Sequence, residues 1–300
     1  MLSKPQIVDD DGNSSSTNDE LVAEIEVEES KDEVAVVPAL PPAKTASEIL
    51  IEKLGPFKSE YNEELDKISD VQCITDWSSL MPRYKQANLP MIKTGLGAIQ
   101  EFHKKWAHPD WKQVVADPEE GLDVWQRTTE DGLSSVKATA IIDRTANQIF
   151  RAIGDNKYRH LYDSMFDCSH FIERIADQTY IAYHKTKKIQ IVQPRDFVLV
   201  LHANKTPEGT IYAIVRHANR DDMVPTEKGV TRGALPLGGW MLEPVKGDPS
   251  KTKCYYIAEI DLKGSVPGFI MKLAIKQQGR QAVKMRRCVE AYLKDHPTPS

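Results

Sequence analysis

Cysteine is scarce and scattered: Cys73, Cys168, Cys254 and Cys288 are the only four in 300 residues, and no two stand at the spacing of a metal site or a redox pair. That excludes a disulfide scaffold and fits a reducing compartment. Long apolar runs are lacking as well. Stretches such as 34–40 and 197–201 fall far short of the roughly 18 residues a membrane helix needs. The chain begins MLSKPQIVDDDGNSSS and turns acidic at once, so neither a secretory nor a mitochondrial leader is expected. Basic excess is missing too. With a net charge of −5 and no aromatics interleaved with a basic stripe, nucleic acid is not an expected partner. No HExxH, P-loop, G-x-S-x-G or C-x-x-C occurs, which argues against the common hydrolase, nucleotide and redox sites and against a metal centre.

What is present is enough apolar material, 40% of the residues, for one sizeable core. Residues 1–43 mix acidic clusters with Ser, Asn and Pro and bury too little to offset ordering, so they read as a disordered acidic tail. Residues 44–81 place Ile49, Leu50, Leu54, Tyr61, Leu65 and Ile68 at helical spacing around a Gly55–Pro56 break, giving short accessory helices. A stronger helix is expected over 82–106. The period then changes to two, with strands expected at 112–116, 122–128 and 136–142. Thr145 caps a helix over 146–154, and a second short helix is expected over 157–165. Six strands follow at 171–175, 179–185, 196–203, 210–218, 240–245 and 254–262. Ser265 and Pro267 open a last helix that runs to about 295, with Ser265 as its cap. The fold class is α+β, with a predominantly antiparallel sheet whose open face only the last helix is long enough to cover.

Along that helix the stripe Ile270, Ala274, Gln278, Ala282, Met285, Val289 and Tyr292 faces inward, with Lys272, Lys276, Arg280 and Lys284 on the other side. The small and polar members of the stripe leave room for something other than protein, or let the helix lie close to the sheet.

The runs VQPRDFVLV (192–200), MVPTEKGVTRG (223–233) and SKTKCYYIAEIDLKGSVP (250–267) resemble the START domains of the steroidogenic acute regulatory protein subfamily over roughly 83–296. Soluble insect carotenoid-binding members of that subfamily are similar in size and layout. The resemblance implies a helix-grip domain over 82–296, its sheet wrapped around the last helix and enclosing a cavity for one lipid. It also implies a gate between the 185–193 loop and 267–282. Cholesterol-binding members place a carboxylate on the fifth strand opposite an arginine on the sixth. Those positions fall on His184 and Leu201 here, which implies that the buried ion pair is gone.

If Leu201 faces the cavity, alternation brings Tyr180, Ala182 and His184 to it from the fifth strand, and Phe197 and Leu199 from the sixth. Plain core packing is the competing reading. Phe166, Trp240, Ile270, Ala274, Gln278 and Ala282 complete the expected lining. Asp163 is placed to take a ligand hydroxyl through water, or else to stand in solvent. Arg195 and Asp196 are read as anchors of the gating loop by local ion pairing.

The expected function is non-catalytic: a cytoplasmic monomer without cofactor that holds one hydrophobic lipid, sterol or carotenoid, and touches membranes transiently. Lys272, Lys276, Arg280 and Lys284 are its expected membrane-facing charges. A ligand-sensing regulator with the acidic tail as output, or a hydrolase or cyclase on the same architecture, are the alternatives. Loss of the ion pair predicts that lutein binds at least as tightly as cholesterol and protrudes through the gate.

Overall fold

The computed structural model describes residues 71–297. The expected acidic tail and most of the expected accessory helices lie outside them. Residues 71–77 have no regular structure, and 3₁₀ turns at Met81–Arg83 and Gln86–Asn88 precede helix α1, Leu89–Trp106. The helix expected from 82 therefore starts seven residues later. Pro90 sits in its first turn, where a missing N–H costs nothing.

Strands β1 (Lys112–Asp117), β2 (Leu122–Thr128) and β3 (Ser134–Ile142) form a meander. Helix α2, Ala146–Gly154, then opens with a capping box. The Thr145 hydroxyl accepts from the Gln148 amide at 3.3 Å, and the Gln148 side chain accepts from the Thr145 amide at 3.1 Å. The second short helix is only one turn, α3 at Asn156–Arg159, capped by Asp155. Six longer strands follow: β4 (Phe166–Ala176), β5 (Thr179–Thr186), β6 (Arg195–Lys205), β7 (Ile211–His217), β9 (Ala234–Val245) and β10 (Asp248–Asp261). A two-residue strand that the sequence does not signal, β8 at Thr231–Arg232, pairs parallel with β6. Helix α4, Gly268–Asp295, ends the fold. Its N-cap is Pro267 and no side chain caps it, so Ser265 does not have the expected role.

The sheet order is β1-β2-β3-β10-β9-β7-β6-β5-β4, antiparallel throughout apart from β8. Both faces are partly covered, not one. Helix α4 lies across β2, β3 and β10, while α1 packs on β6, β7 and β9. Alternation assigns the two sides: Val198 and Val200 join Met91 and Ile92 of α1 in one apolar cluster, whereas Leu199 and Leu201 point to the interior.

Small residues on α4 permit close approach and are not there to make room. Ala282 is fully buried in the core with Met285, Cys288 and Val289. A Cβ on Gly279 would stand 2.5 Å from Val124 Cγ1 on β2. Gly279→Ala is accordingly expected to destabilise the fold by about 2 kcal/mol through overpacking. A denaturant midpoint unchanged from the parent would contradict this contact.

Candidate functional site

Between β4–β7, β9 and β10, the α2–α3 region and α4 lies a cavity of about 230 Å³. A single buried water needs roughly 10–15 Å³ on this kind of measure, so the space is many times larger than one hydration site. Its wall is chiefly apolar.

Strands β5 and β6 supply Tyr180, His184, Phe197, Leu199 and Leu201 to that wall, and Phe166 and Trp240 lie on it too. The register sets Tyr180 opposite Leu201, Ala182 opposite Leu199 and His184 opposite Phe197. His184 and Leu201 are thus not facing partners; Leu201 faces Tyr180. Ala182 shares their side but is not on the wall. Phe171 and Tyr180, packed edge to face at 5.6 Å, cluster over it, and its methyl is too short to reach past them. Helix α4 contributes Gln278 and Gln281. Ile270, Ala274 and Ala282 do not line the cavity. Positions four apart advance about 40° around a helix of 3.6 residues per turn, so a stripe from 270 to 282 swings through about 120°. Only its middle, around 278, faces the chamber.

The polar groups of the chamber gather around Arg159, which the sequence reading missed. His184 and Leu201 make no ion pair across β5 and β6, yet Arg159 and Asp163 put charge in the cavity. Arg159 ends α3, and its Nη2 lies 3.5 Å from Asp163 Oδ2. Its Nη1 lies 3.4 Å from His184 Nε2, and its guanidinium rests on the Phe166 ring at 4.8 Å. Both polar distances are long, and Arg159 Nε is buried with no hydrogen-bond partner among the described residues. Asp163 is buried in the turn after α3, not exposed on a helix, and its Oδ1 accepts from the Met165 amide at 3.1 Å. Burial, then the charge of Arg159, hold the His184 pKa well below its ordinary value, so its imidazole is neutral. Facing a guanidinium, the His184 Nε2 is the acceptor, which leaves the proton on Nδ1. Tyr256 donates to Gln278 Oε1, which also accepts from Gln281 Nε2 at 3.1 Å. Burial raises the Tyr256 pKa, so it remains a donor. Arg159 ends a one-turn helix and meets Asp163 in the turn beyond it, an arrangement with no spacing signal in the sequence, which is why Arg159 escaped.

At the mouth, the Arg195 guanidinium bonds carbonyls, not a carboxylate: Gln193 O at 2.6 Å, Leu262 O at 3.1 Å and Lys263 O at 3.3 Å. Asp196 instead takes a two-pronged bond from Arg232 at 2.9 and 3.1 Å. The loop is anchored, though not by the local ion pair expected. Lys185 reaches Glu227 at 2.9 Å. No group of three or more His, Cys, Asp or Glu suited to a metal ion occurs among the described residues. No helix there is long and apolar enough to cross a membrane.

A curved antiparallel sheet that grips a terminal helix and encloses an apolar chamber with one polar cluster defines a helix-grip ligand-cavity protein. The family model described as START domain matches residues 99–294, and the chain belongs to that family. The mitochondrial steroidogenic acute regulatory protein of Equus caballus is 32% identical over 108 residues, covering 35% of this chain and 37% of that protein. The same protein of Mesocricetus auratus is 23% identical over 197 residues, covering 65% and 69%. The chain therefore spans little more than a third of the horse protein. Among solved structures, human StAR-related lipid transfer protein 5 superposes with a TM-score of 0.61 at 18% identity, covering 68% of this chain and 99% of that one.

Proposed function

We propose that this chain binds one apolar lipid bearing a hydroxyl, a sterol or a xanthophyll, and carries it between membranes without changing it. The observation that carries this reading is Arg159, a cation in an apolar chamber beside Asp163 whose Nε has no partner among the described residues and whose other two polar contacts are long. A hydroxyl accepts from the guanidinium and donates to the carboxylate, which completes both. Burial of about 400 Å² of apolar ligand at about 25 cal/mol per Å² contributes about 10 kcal/mol before association costs, enough for submicromolar binding. Relatives named for lipid transfer support the transfer step. Four free thiols support a reducing compartment, the cytosol, as the place of work.

The earlier ground for preferring lutein, a chamber emptied of charge, does not stand once Arg159 and Asp163 are counted. Sterol and xanthophyll share the hydroxyl and differ in length. Titration of lipid-free protein with labelled cholesterol, competed by lutein, is expected to show one saturable site and a ligand recovered unchanged. Absence of saturable binding to either, or recovery of a chemically altered ligand, would sink the carrier reading.

Delivery is proposed to use the outer face of α4 and the loop after β5. Ile191 in that loop is 71% exposed and Phe269 in the first turn of α4 is 60% exposed. Lys272, Lys276 and Arg280 are exposed, whereas Lys284 is half-buried and donates to Gln277 at 3.3 Å. Each exposed charge contributes about 1 kcal/mol near an anionic surface. Replacing Lys272, Lys276 and Arg280 by Gln is expected to slow ligand transfer to anionic vesicles at least tenfold while leaving affinity in solution unchanged. Equal transfer rates for parent and variant would remove this face from the mechanism.

A further inference from the structure

Arg159 faces the chamber from an element too small to hold itself. Helix α3 is 4 residues long, far below the roughly 12–15 residues at which a lone helix is even marginal in water. Something outside it must fix where its last residue points. The guanidinium does not do so, since its Nε has no partner among the described residues and its other polar contacts, 3.4 Å to His184 and 3.5 Å to Asp163, are long. The direction of Arg159 is therefore set by the backbone of its turn.

That turn is gripped from its other side by the far end of α4. The Tyr158 hydroxyl donates to Asp295 Oδ2 at 2.6 Å, and Lys157 Nζ donates to the same oxygen at 2.7 Å. The Lys157 bond, then the Tyr158 bond, hold the Asp295 carboxyl below the usual carboxylate range, so it accepts as an anion. Tyr292, on the preceding turn of α4, packs edge to face on the Tyr158 ring at 5.5 Å, and His296 stacks on Tyr292 at 4.4 Å.

These ties differ in weight. Lys157 is exposed, so its ion pair adds little. Tyr158 is buried, and a bond from its hydroxyl to a carboxylate is of the strong kind. The other side-chain bonds of the turn are a cap within it, Asp155 accepting from the Lys157 amide at 2.9 Å, and a long reach from Asn156 to the Ser169 carbonyl at 3.4 Å. Lys157, Tyr158, Tyr292 and Asp295 are all off the cavity wall. They support it from one layer behind.

We propose that Asp295 is a positioning residue for hydroxyl recognition: through Tyr158 it fixes the α3 turn that aims Arg159 into the chamber, so the last residue of α4 sets the preference for a hydroxylated lipid without touching it. This rests on the carrier reading above, in which Arg159 meets the ligand hydroxyl. Helix α4 then acts on the ligand at two places. Its middle brings Gln278 and Gln281 to the wall, and its end aims the arginine.

Titration of the full chain carrying Asp295→Asn with cholesterol, and with cholestane, the same ring system without a hydroxyl, tests this. Cholesterol affinity is expected to fall about three- to tenfold, part of the worth of a charged hydrogen bond, while cholestane affinity stays within about twofold of the parent. In an Arg159→Leu background Asp295→Asn should cost nothing further, because the residue it aims is gone. Tyr158→Phe keeps the buried ring and deletes only the bond; it should reproduce the pattern, and it carries the test if Asp295→Asn does not fold. Equal losses for the two lipids, or a loss that persists without Arg159, would mean that Asp295 supports the domain at large, which overturns the proposal. Unchanged cholesterol binding in Asp295→Asn and Tyr158→Phe beside a loss in Arg159→Leu overturns it too and leaves the carrier reading standing. If Arg159→Leu itself leaves cholesterol affinity unchanged, the hydroxyl reading and this proposal fall together.

Discussion

Arg159→Leu should lower affinity for cholesterol by about 10- to 100-fold, the loss of a hydrogen bond to a charged group of about 1.5–3 kcal/mol. The guanidinium is the charged donor beside Asp163 in the chamber, and the neutral His184 imidazole 3.4 Å away offers only a weaker bond in its place. The single change also leaves Asp163 beside an apolar wall without its cation, so part of the loss would come from that orphaned carboxylate. Arg159→Leu with Asp163→Leu removes the confounding charge. The double variant should bind a sterol hydrocarbon lacking the hydroxyl at least as well as the parent does, while still losing affinity for cholesterol. Parallel titrations with both ligands separate the outcomes. An equal loss for the hydroxylated and hydroxyl-free ligand would mean that Arg159 shapes the wall without reading the ligand.

Acidification should weaken the fold more steeply than surface carboxylates account for, because two histidines are buried neutral. Burial holds the His202 pKa down at about 4 and holds that of His184 well below the ordinary value. Among the described residues His202 shares one hydrogen bond, between its Nδ1 and Thr179 Oγ1 at 2.9 Å, and its Nε2 has no partner. In the unfolded chain each imidazole takes a proton near pH 6.5, while the folded state refuses it until the pH is far lower. As pH falls through this window the unfolded state binds more protons, so stability is full above about pH 6.5 and declines toward pH 4. His202 alone accounts for about 3 kcal/mol of that decline. His202→Gln should flatten the dependence by a similar amount, read as urea midpoints between pH 7 and 4. A variant whose midpoints fall as steeply as those of the parent would show that His202 is not the source.

Strand and helix positions were legible because burial writes a period into the sequence. The alternation in TYIAYHK and DFVLVLHA located β5 and β6 to within a few residues, and the capping box at Thr145 fixed the start of α2. What sequence spacing could not supply was depth. Tyr180, Ala182 and His184 share a face, yet only the two with long side chains reach the cavity wall. The α4 stripe was read four residues at a time, and the drift of a real helix carried Ile270, Ala274 and Ala282 off the wall. Arg159 was invisible for a different reason. Its partners arrive from the next turn, from β5 and from the start of β4, and no local pattern announces a meeting of three elements. The segment 71–77 has no period at all; Gln178 and Asn204, which bond the backbone of Gln72 and Ile74, come together only once the hairpin of β5 and β6 has formed.

A protein with an internal chamber forgoes the dispersion contacts that a filled core would make, so its empty form is the less durable one. Occupancy adds back RT ln(1 + [L]/Kd), about 4 kcal/mol when free ligand stands a thousandfold above its dissociation constant. For a domain whose whole margin is on the order of 5–15 kcal/mol, that is a substantial share. Ligand supply would then govern lifetime as well as traffic: chains left unloaded open more often to proteases and chaperones, and the standing amount of carrier follows the amount of cargo.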